Sequence, residues 1–328
     1  MKACVLEGGV GEYNKLKLKD LPEPNEVGAD DVLIQQNALG ICFDDVMYRR
    51  GDYALPDGLG AEPILGFEGV GTVLRKGENV KSFDIGDQVG YGFAPFGSYA
   101  QQRVINYNYL VSVPTDITPE FAAGTLRRGM LVDSMLFKTF NAVKGDWILV
   151  HSVAGGVGHL LAKWAKFAGL RVIGTVCDDS KISTALATGC DYVIDRSTED
   201  MPKKVLEYTD GYGVKALYDG VGKPVFEQSL QCLKVFGLYV SYGYAGGKLD
   251  PIDVMKLRER SLFFTTPVLE LYKKNRYELL CSAASVIDML KKGVIIPNIS
   301  RYAMDGIPQA HADLESGKTM GSIVVNVY

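Results

Sequence analysis

Residues 147–176 read WILVHSVAGGVGHLLAKWAKFAGLRVIGTV. The stretch divides into strand, glycine turn, helix and strand. Residues 147–151 are an apolar, β-prone run bounded by the turn pair Gly145-Asp146. Ala154, Gly155, Gly156, Val157 and Gly158 make the turn. An amphipathic helix follows, with Leu160, Leu161, Trp164, Phe167 and Ala168 on its apolar side. Gly169 ends it, and residues 171–176 form a second buried strand. Glycines at such a turn let the backbone approach a pyrophosphate, whose charge the helix N–H groups and dipole hold. A glycine pattern alone is a weak signal. Strand, helix and second strand in the required places make this one stronger. The competing reading is a tight turn with no ligand.

Outward from this unit the pattern changes. The first 120 residues or so are glycine-rich with short β-prone runs at 32–36, 71–75, 88–92 and 102–106. They read as a mostly antiparallel β domain. Residues 119–140 read as helix with Pro119 at its start. After residue 147, strand candidates at 171–176, 192–194, 216–219, 237–242 and 262–265 alternate with helical stretches, which indicates a doubly wound parallel sheet of the Rossmann kind, class α/β. Residues 277–292 read as helix and 322–327 as strand. A β segment before the dinucleotide unit and a strand after it suggest a discontinuous first domain.

The 328 residues, 47% hydrophobic, suffice for two cores. A net charge of −4 argues against a nucleic-acid or anionic-membrane partner. No apolar run approaches the roughly 18 residues of a membrane span, and the start, MKACVLEGGVGEY, reads as strand and turn rather than signal peptide. The six cysteines are scattered, as expected for free thiols in a reducing cytoplasm.

Several motifs in order resemble the medium-chain dehydrogenase/reductase superfamily, and within it the zeta-crystallin-like quinone oxidoreductases. They are GICFDDVMYRRGDY (40–53), PILGFEGVGTV (63–73), FDIGDQV (83–89), GSYA (97–100), the glycine turn, YDGVG (218–222) and VSYG (240–243). The chain departs from the subfamily signature at Val153, where a small residue is usual, and at Lys163, where Gln is usual. The resemblance implies a GroES-like, mostly antiparallel catalytic domain over 1–121 and 266–328, a Rossmann domain over 122–265, and a cleft joining them. It also implies a homodimer through Rossmann edge strands. The β-prone run 261–266 would otherwise leave an apolar edge open.

Zinc-dependent members place a ligand Cys in G-x-C-x-x-D and a ligand His in G-H-E. Cys42 and Asp45 fit the first, but Phe67 stands where the His must be and cannot ligate zinc. No cluster of four closely spaced cysteines follows Tyr91. The three histidines read as strand end (His151), helix start (His159) and surface (His311). No metal is expected. Cys42 is then most simply a small cleft residue.

Cofactor choice is open on the residues alone. Asp178 and Asp179 follow the second strand and favour NAD on the simple rule. In the resemblance the NAD acid falls on Cys177, while Lys181 and Arg196 fall where a 2′-phosphate is held. The resemblance therefore implies NADPH rather than NADH. It places Ala154, Gly155, Gly156, Val157, Gly158, Thr175, Val221, Gly222, Tyr242, Gly243, Pro267 and Leu269 along the cofactor. It places Cys42, Asp45, Met47, Tyr53 and Phe67 at the substrate cleft. Leu131 stands there where the family often has Thr. One of Arg127 and Arg128, with Arg128 retained as the catalytic candidate, matches a lysine on the nicotinamide side. Tyr53 is either the hydrogen-bond donor to a developing oxyanion or an edge-packing ring. Asp45 orients its neighbours.

Three functions follow as expectations. The first is metal-free NADPH-dependent reduction of a quinone. The second is reduction of an enal, enone or enoyl-thioester double bond. The third, of another class, is a cofactor-binding structural or RNA-binding crystallin-like protein, against which the acidic balance and the lack of a basic stripe weigh.

Overall fold

The computed structural model describes residues 1–93 and 95–328. In chain order the first elements are β1 (Lys2–Leu6), β2 (Leu16–Asp20), β3 (Asp31–Ile41), α1 (Phe43–Arg50), β4 (Gly69–Lys76), β5 (Gln88–Tyr91), β6 (Gln102–Asn106), β7 (Val111–Ser112) and α2 (Pro119–Ser134). The middle of the chain gives β8 (Trp147–Val150), α3 (Gly156–Phe167), β9 (Arg171–Val176), α4 (Ile182–Leu186), β10 (Tyr192–Asp195), α5 (Met201–Tyr208), β11 (Val214–Asp219), α6 (Phe226–Cys232) and β12 (Leu233–Ser241). The last are α7 (Val254–Arg258), β13 (Phe263–Thr265), α8 (Leu269–Tyr272), α9 (Arg276–Lys291), β14 (Ile299–Ala303), α10 (Ile307–Glu315) and β15 (Ser322–Asn326).

These elements form two compact units. One comprises Met1–Arg128, Lys273–Lys291 and Ile296–Tyr328; the other comprises Gly129–Tyr272 and Lys292–Ile295. The divisions fall at 128/129 and 272/273, beside sequence expectations of 121/122 and 265/266. Helix α2 runs through the first division, and α8 stays with the second unit.

The first unit is built on a seven-stranded sheet in the order β14-β15-β3-β4-β5-β7, with β6 also pairing β3. All its pairings are antiparallel except β14 with β15. Strand β3 is long enough to hold two neighbourhoods. Its register against β4 shifts at Leu33/Ile34 and Gln36/Ala38, so it bends between them. One end packs Val32 and Ile34 with Val73, Phe83 and Leu110. The other packs Leu39 and Ile41 with Leu65, Tyr99, Ile323 and Val325. The chain's last strand, β15, sits between β14 and β3, which makes this unit discontinuous in sequence.

The second unit holds a six-stranded, all-parallel sheet in the order β10-β9-β8-β11-β12-β13. Numbered within the unit this is 3-2-1-4-5-6, the doubly wound order of dinucleotide-binding folds. Its strands are buried runs such as Ile148–Val150 and Leu217–Tyr218, as a sheet covered on both faces requires. Strand order reverses between β8 and β11, and the glycine turn leaves β8 at that point. Two local readings change. Phe167 is 58% exposed, because α3 ends there and the core side is filled by Leu160, Leu161, Trp164 and Ala165. The helix begun at Pro119 becomes a π turn over Met135–Thr139, which widens its last turn before Phe140.

Candidate functional site

In the second unit the site begins at the end of β8. Ser152 adopts φ 52, a left-handed conformation rare for a residue with a side chain. Its carbonyl accepts from Gly155 N–H at 2.8 Å, and Gly155 then caps α3. The amides of Gly156, Val157 and Gly158 form the first helical turn, where no carbonyl one turn earlier is available to them. Gly158 has to be glycine: a Cβ there would lie 2.5 Å from Ser152 O and 2.9 Å from Val153 Cα. An open first turn with a close-packed glycine and a positive dipole end fits a pyrophosphate. Thr175 is fully buried on β9; its carbonyl takes Val153 N–H at 3.1 Å and its hydroxyl meets His151 Nδ1 at 2.9 Å.

Past β9, Lys181 Nζ stands 3.4 Å from Asp178 and 3.6 Å from Cys177 Sγ, and Cys177 is exposed. Arg196 follows β10. Its Nε is buried with no hydrogen-bond partner among the described residues. Burial pulls its pKa down, opposed by the charges of Cys177, Asp219 and Asp195. A guanidinium with an unmet donor, and a lysine that shares Cys177 as a neighbour with it, fit a phosphate anion better than a ribose diol.

At the C-terminal ends of β11 and β12, Asp219 is fully buried. It accepts from Val221 N at 2.7 Å, from Gly222 N at 3.1 Å and from Tyr239 Oη at 2.7 Å. Burial pushes its carboxyl above the ordinary range against these bonds. Asp219 thereby fixes the 220–222 loop. A Cβ at Gly220 would meet the Tyr242 ring at 2.7 Å, and Gly243 lies against Gly220 with 3.2 Å for such an atom. Leu269 is buried on α8, and Pro267 is half-buried before it. Leu131 is half-buried on α2.

In the first unit the predicted residues cluster around α1. Cys42 and Asp45 cap the helix reciprocally: Cys42 Sγ accepts from Asp45 N–H, and Asp45 Oδ2 accepts from Cys42 N–H at 2.9 Å. Asp45 is fully buried and its Oδ1 has no partner among the described residues. Burial pushes this carboxyl up to about 7, eased by the Cys42 N–H and by Arg127 and raised further by Glu68 and Asp44. Burial also raises the Cys42 thiol, with Asp45 adding to the rise, so the sulfur carries its proton. Met47 is buried. Tyr53 packs edge-on to Tyr48, whose ring also meets Phe67 and Phe96. The Arg127 guanidinium lies over Phe67, 4.4 Å from the ring centroid, and bonds Asp44 at 2.6 Å and Gly92 O at 2.7 Å. Arg128 pairs with buried Glu68 at 3.1 Å and donates to Ile41 O at 2.6 Å. The structure thus gives Arg128 a holding task between β3 and the 63–68 segment. Gly40 makes room for that pair, since a Cβ there would fall 2.4 Å from Glu68.

Sequence reasoning missed Glu68, Gly40 and Asp219 as site-building residues. Glu68 and Asp219 stood inside quoted motifs, but a buried acid reveals its partner only in three dimensions. The expectation for His311 is corrected: it is fully buried and bonds Tyr99 Oη at 3.0 Å, because α10 packs on the core around Tyr99. Burial pulls its pKa down to about 3. Phe67 fills the place of a zinc-ligating His, and no group of three His, Cys, Asp or Glu side chains able to hold a metal occurs among the described residues.

Two family models match the chain: an alcohol dehydrogenase GroES-like domain over 28–139 and a zinc-binding dehydrogenase domain over 156–275. A 2-haloacrylate reductase from Burkholderia sp. is 36% identical over 304 residues, covering 91% of each chain. A quinone oxidoreductase from Pseudomonas aeruginosa is 35% identical over 305 residues, covering 92% of this chain and 93% of its own. The crystal structure of Escherichia coli quinone oxidoreductase complexed with NADPH superposes with a TM-score of 0.95 at 31% identity, over 100% of both chains. Matched along its whole length, in both domains and in the glycine turn at the sheet's reversal, the chain belongs to the quinone oxidoreductase type of the medium-chain dehydrogenase/reductase superfamily.

Proposed function

We propose that this protein is an NADPH-dependent quinone oxidoreductase working without a metal. The observation that carries the reading is the full-length likeness to a quinone oxidoreductase solved with NADPH. The local chemistry agrees with it. Ala154 and Gly155 with the amides of Gly156, Val157 and Gly158 would hold the pyrophosphate, with Thr175 on the neighbouring strand. Lys181 and Arg196 take the 2′-phosphate, which selects NADPH over NADH. Val221, Tyr242, Gly243, Pro267 and Leu269 flank the remainder.

Bound NADPH supplies a hydride, and the protein supplies position and dryness. A quinone is already electrophilic, so its carbonyl needs a hydrogen-bond donor rather than a Lewis acid. Tyr53 is that donor in this reading. Cys42, Met47 and Phe67 give an apolar surround, and Leu131 is the apolar residue that the second unit offers. Asp45 holds Cys42 in place through the helix cap, and Arg128 holds the 63–68 segment through Glu68. In this reading the β domain, expected over 1–121 and 266–328, serves mainly the acceptor, and the Rossmann domain, expected over 122–265, mainly the cofactor, with Pro267 and Leu269 just beyond it. Six free thiols suit a reducing cytoplasm. The edge strand β13, with Phe263 59% exposed, suits pairing with a second copy.

A second reading, reduction of an activated carbon–carbon double bond, is favoured by the 36% identity to a 2-haloacrylate reductase. One assay separates the two. NADPH oxidation is followed with an ortho-quinone, an enone and a haloacrylate, in chelator, with NADH alongside. Fast quinone turnover with NADPH supports the proposal. Turnover of the alkenes alone moves the chain to the second reading, and loss of activity in chelator ends the metal-free one.

A further inference from the structure

His151 is the first residue after β8, two residues short of the glycine turn at Ala154, and the reaction as proposed makes no use of its imidazole. It is fully buried. Its Nδ1 lies 2.9 Å from Thr175 Oγ1 on β9, and its Nε2 lies 2.8 Å from Ser229 Oγ on α6. The partners fix the tautomer. Ser229 Oγ donates its own proton to Val225 O at 2.6 Å, so it accepts from His151 Nε2–H. Nδ1 is then the acceptor of the Thr175 hydroxyl. Burial holds the ring neutral, with a pKa pulled down to about 3.

The backbone around this ring is also fixed. His151 N donates to Tyr218 O at 3.0 Å and Val153 N to Thr175 O at 3.1 Å. Between these two anchors Ser152 is held at φ 52. The Ser152 carbonyl is the point on which α3 starts: Gly155 N bonds it, and Gly158 packs against it too closely for any side chain. The imidazole therefore ties β8, β9 and α6 together directly behind the one strained residue that aims the helix.

We propose that His151 is a positioning residue for the dinucleotide, acting through Ser152 to hold the first-turn amides of α3 in binding geometry, with Thr175 and Ser229 as its two anchors. The inference rests on the dinucleotide reading above. Ser229 is fully buried, so no atom of a bound dinucleotide reaches it. Ser229 also meets the Tyr239 hydroxyl, which bonds Asp219 and through it the 220–222 loop, so Tyr239→Phe is the control for that second route.

The test compares Ser229→Ala, His151→Ala and His151→Gln with Val205→Ala, a control that empties a buried site on α5 in the same unit. NADPH affinity is measured by calorimetry, amide exchange over 151–158 by mass spectrometry, and Tm for every protein. Ser229→Ala should weaken NADPH binding about five- to tenfold, the scale of one lost hydrogen bond, and speed exchange over 151–158. Val205→Ala should lower Tm while leaving both unchanged. His151→Gln keeps an amide N–H that can reach Ser229, so it should bind better than His151→Ala. The proposal is overturned if folded Ser229→Ala and His151→Ala match the control in affinity and exchange. Should His151→Ala fail to fold, His151→Gln and Ser229→Ala, each read against Tyr239→Phe, decide: losses of affinity and protection no larger than those of Tyr239→Phe overturn the proposal. Should the unsubstituted protein bind no NADPH, the cofactor reading fails separately, and exchange over 151–158 decides the positioning role.

Discussion

Single residues settle two quantities that can be measured directly. Gly158 is one. A methyl group there would meet Ser152 O at 2.5 Å and Val153 Cα at 2.9 Å, both backbone atoms that cannot swing away. Gly158→Ala should cost about 1–3 kcal/mol of stability as overpacking and abolish NADPH binding. Gly86 has a left-handed φ of 95 but open space around it, so Gly86→Ala should cost only about 1 kcal/mol. Urea unfolding of the pair checks this, and equal losses would sink the packing argument. Asp45 is the other. Its carboxyl stands at about 7 in the native protein against an ordinary 3.8. Between those values the native state keeps a proton that the unfolded chain releases, so this group's contribution to stability falls as pH rises through the window. Asp45→Asn does not titrate and can still accept from Cys42 N–H. Its stability relative to the parent should therefore improve from pH 4.5 to pH 8, by about 3 kcal/mol on the scale of one pKa unit per 1.36 kcal/mol. A difference independent of pH would show that burial does not raise this carboxyl.

Elements show where sequence reading works and where it stops. Strands β9 and β6 begin and end where their β-prone runs do, and the glycine turn lies between strand and helix as its residues require. Local pattern decides these, since each is a run closed by its own turn signals. Strand β12 is different: it starts at Leu233, earlier than its apolar run at 237, and carries Phe236 at φ 60 with its ring 65% exposed. Pairing with β11, not periodicity, extends it. The candidate site divides the same way. Glycines and backbone donors were legible because they are contiguous. The Glu68–Arg128 pair spans 60 positions and the His151–Ser229 bond 78, and no spacing rule reports contacts of that kind. Burial of β15 is legible from its SIVV run, but its seat between β14 and β3 comes only from topology. That seat has an energetic consequence. Val325 is fully buried at the centre of the first unit's sheet, whereas Phe263 on edge strand β13 is 59% exposed. Val325→Ala should cost about 1.5–3 kcal/mol, and Phe263→Ala less than about 1 kcal/mol, despite removing far more atoms. Thermal unfolding ranks the two, and the reverse order would contradict the sheet order.

At the scale of the whole molecule, one sheet edge stands out by its composition. Strand β13 ends the six-stranded sheet with only β12 beside it, and it is neither shielded by proline nor lined with charge: its sequence is FFT. Val235 and Phe236 are also more than half exposed, and Phe236 N bonds Arg260 O, which brings that apolar turn near the start of the β13 segment. A free β edge with apolar neighbours invites another strand. A two-fold axis lets the same edge of a second copy supply it, closing the contact at two and leaving β10 at the outer end of each sheet. The net charge of −4 is small enough not to oppose this. Light scattering should therefore give twice the 35.8 kDa of one chain. Phe263→Lys places a charge on the edge and should shift the protein to monomer while leaving its circular dichroism and NADPH affinity unchanged, since β13 lies at the far side of β12 from the glycine turn. A monomeric parent protein would refute the edge pairing outright. A dimer that survives Phe263→Lys would place the contact elsewhere on the surface.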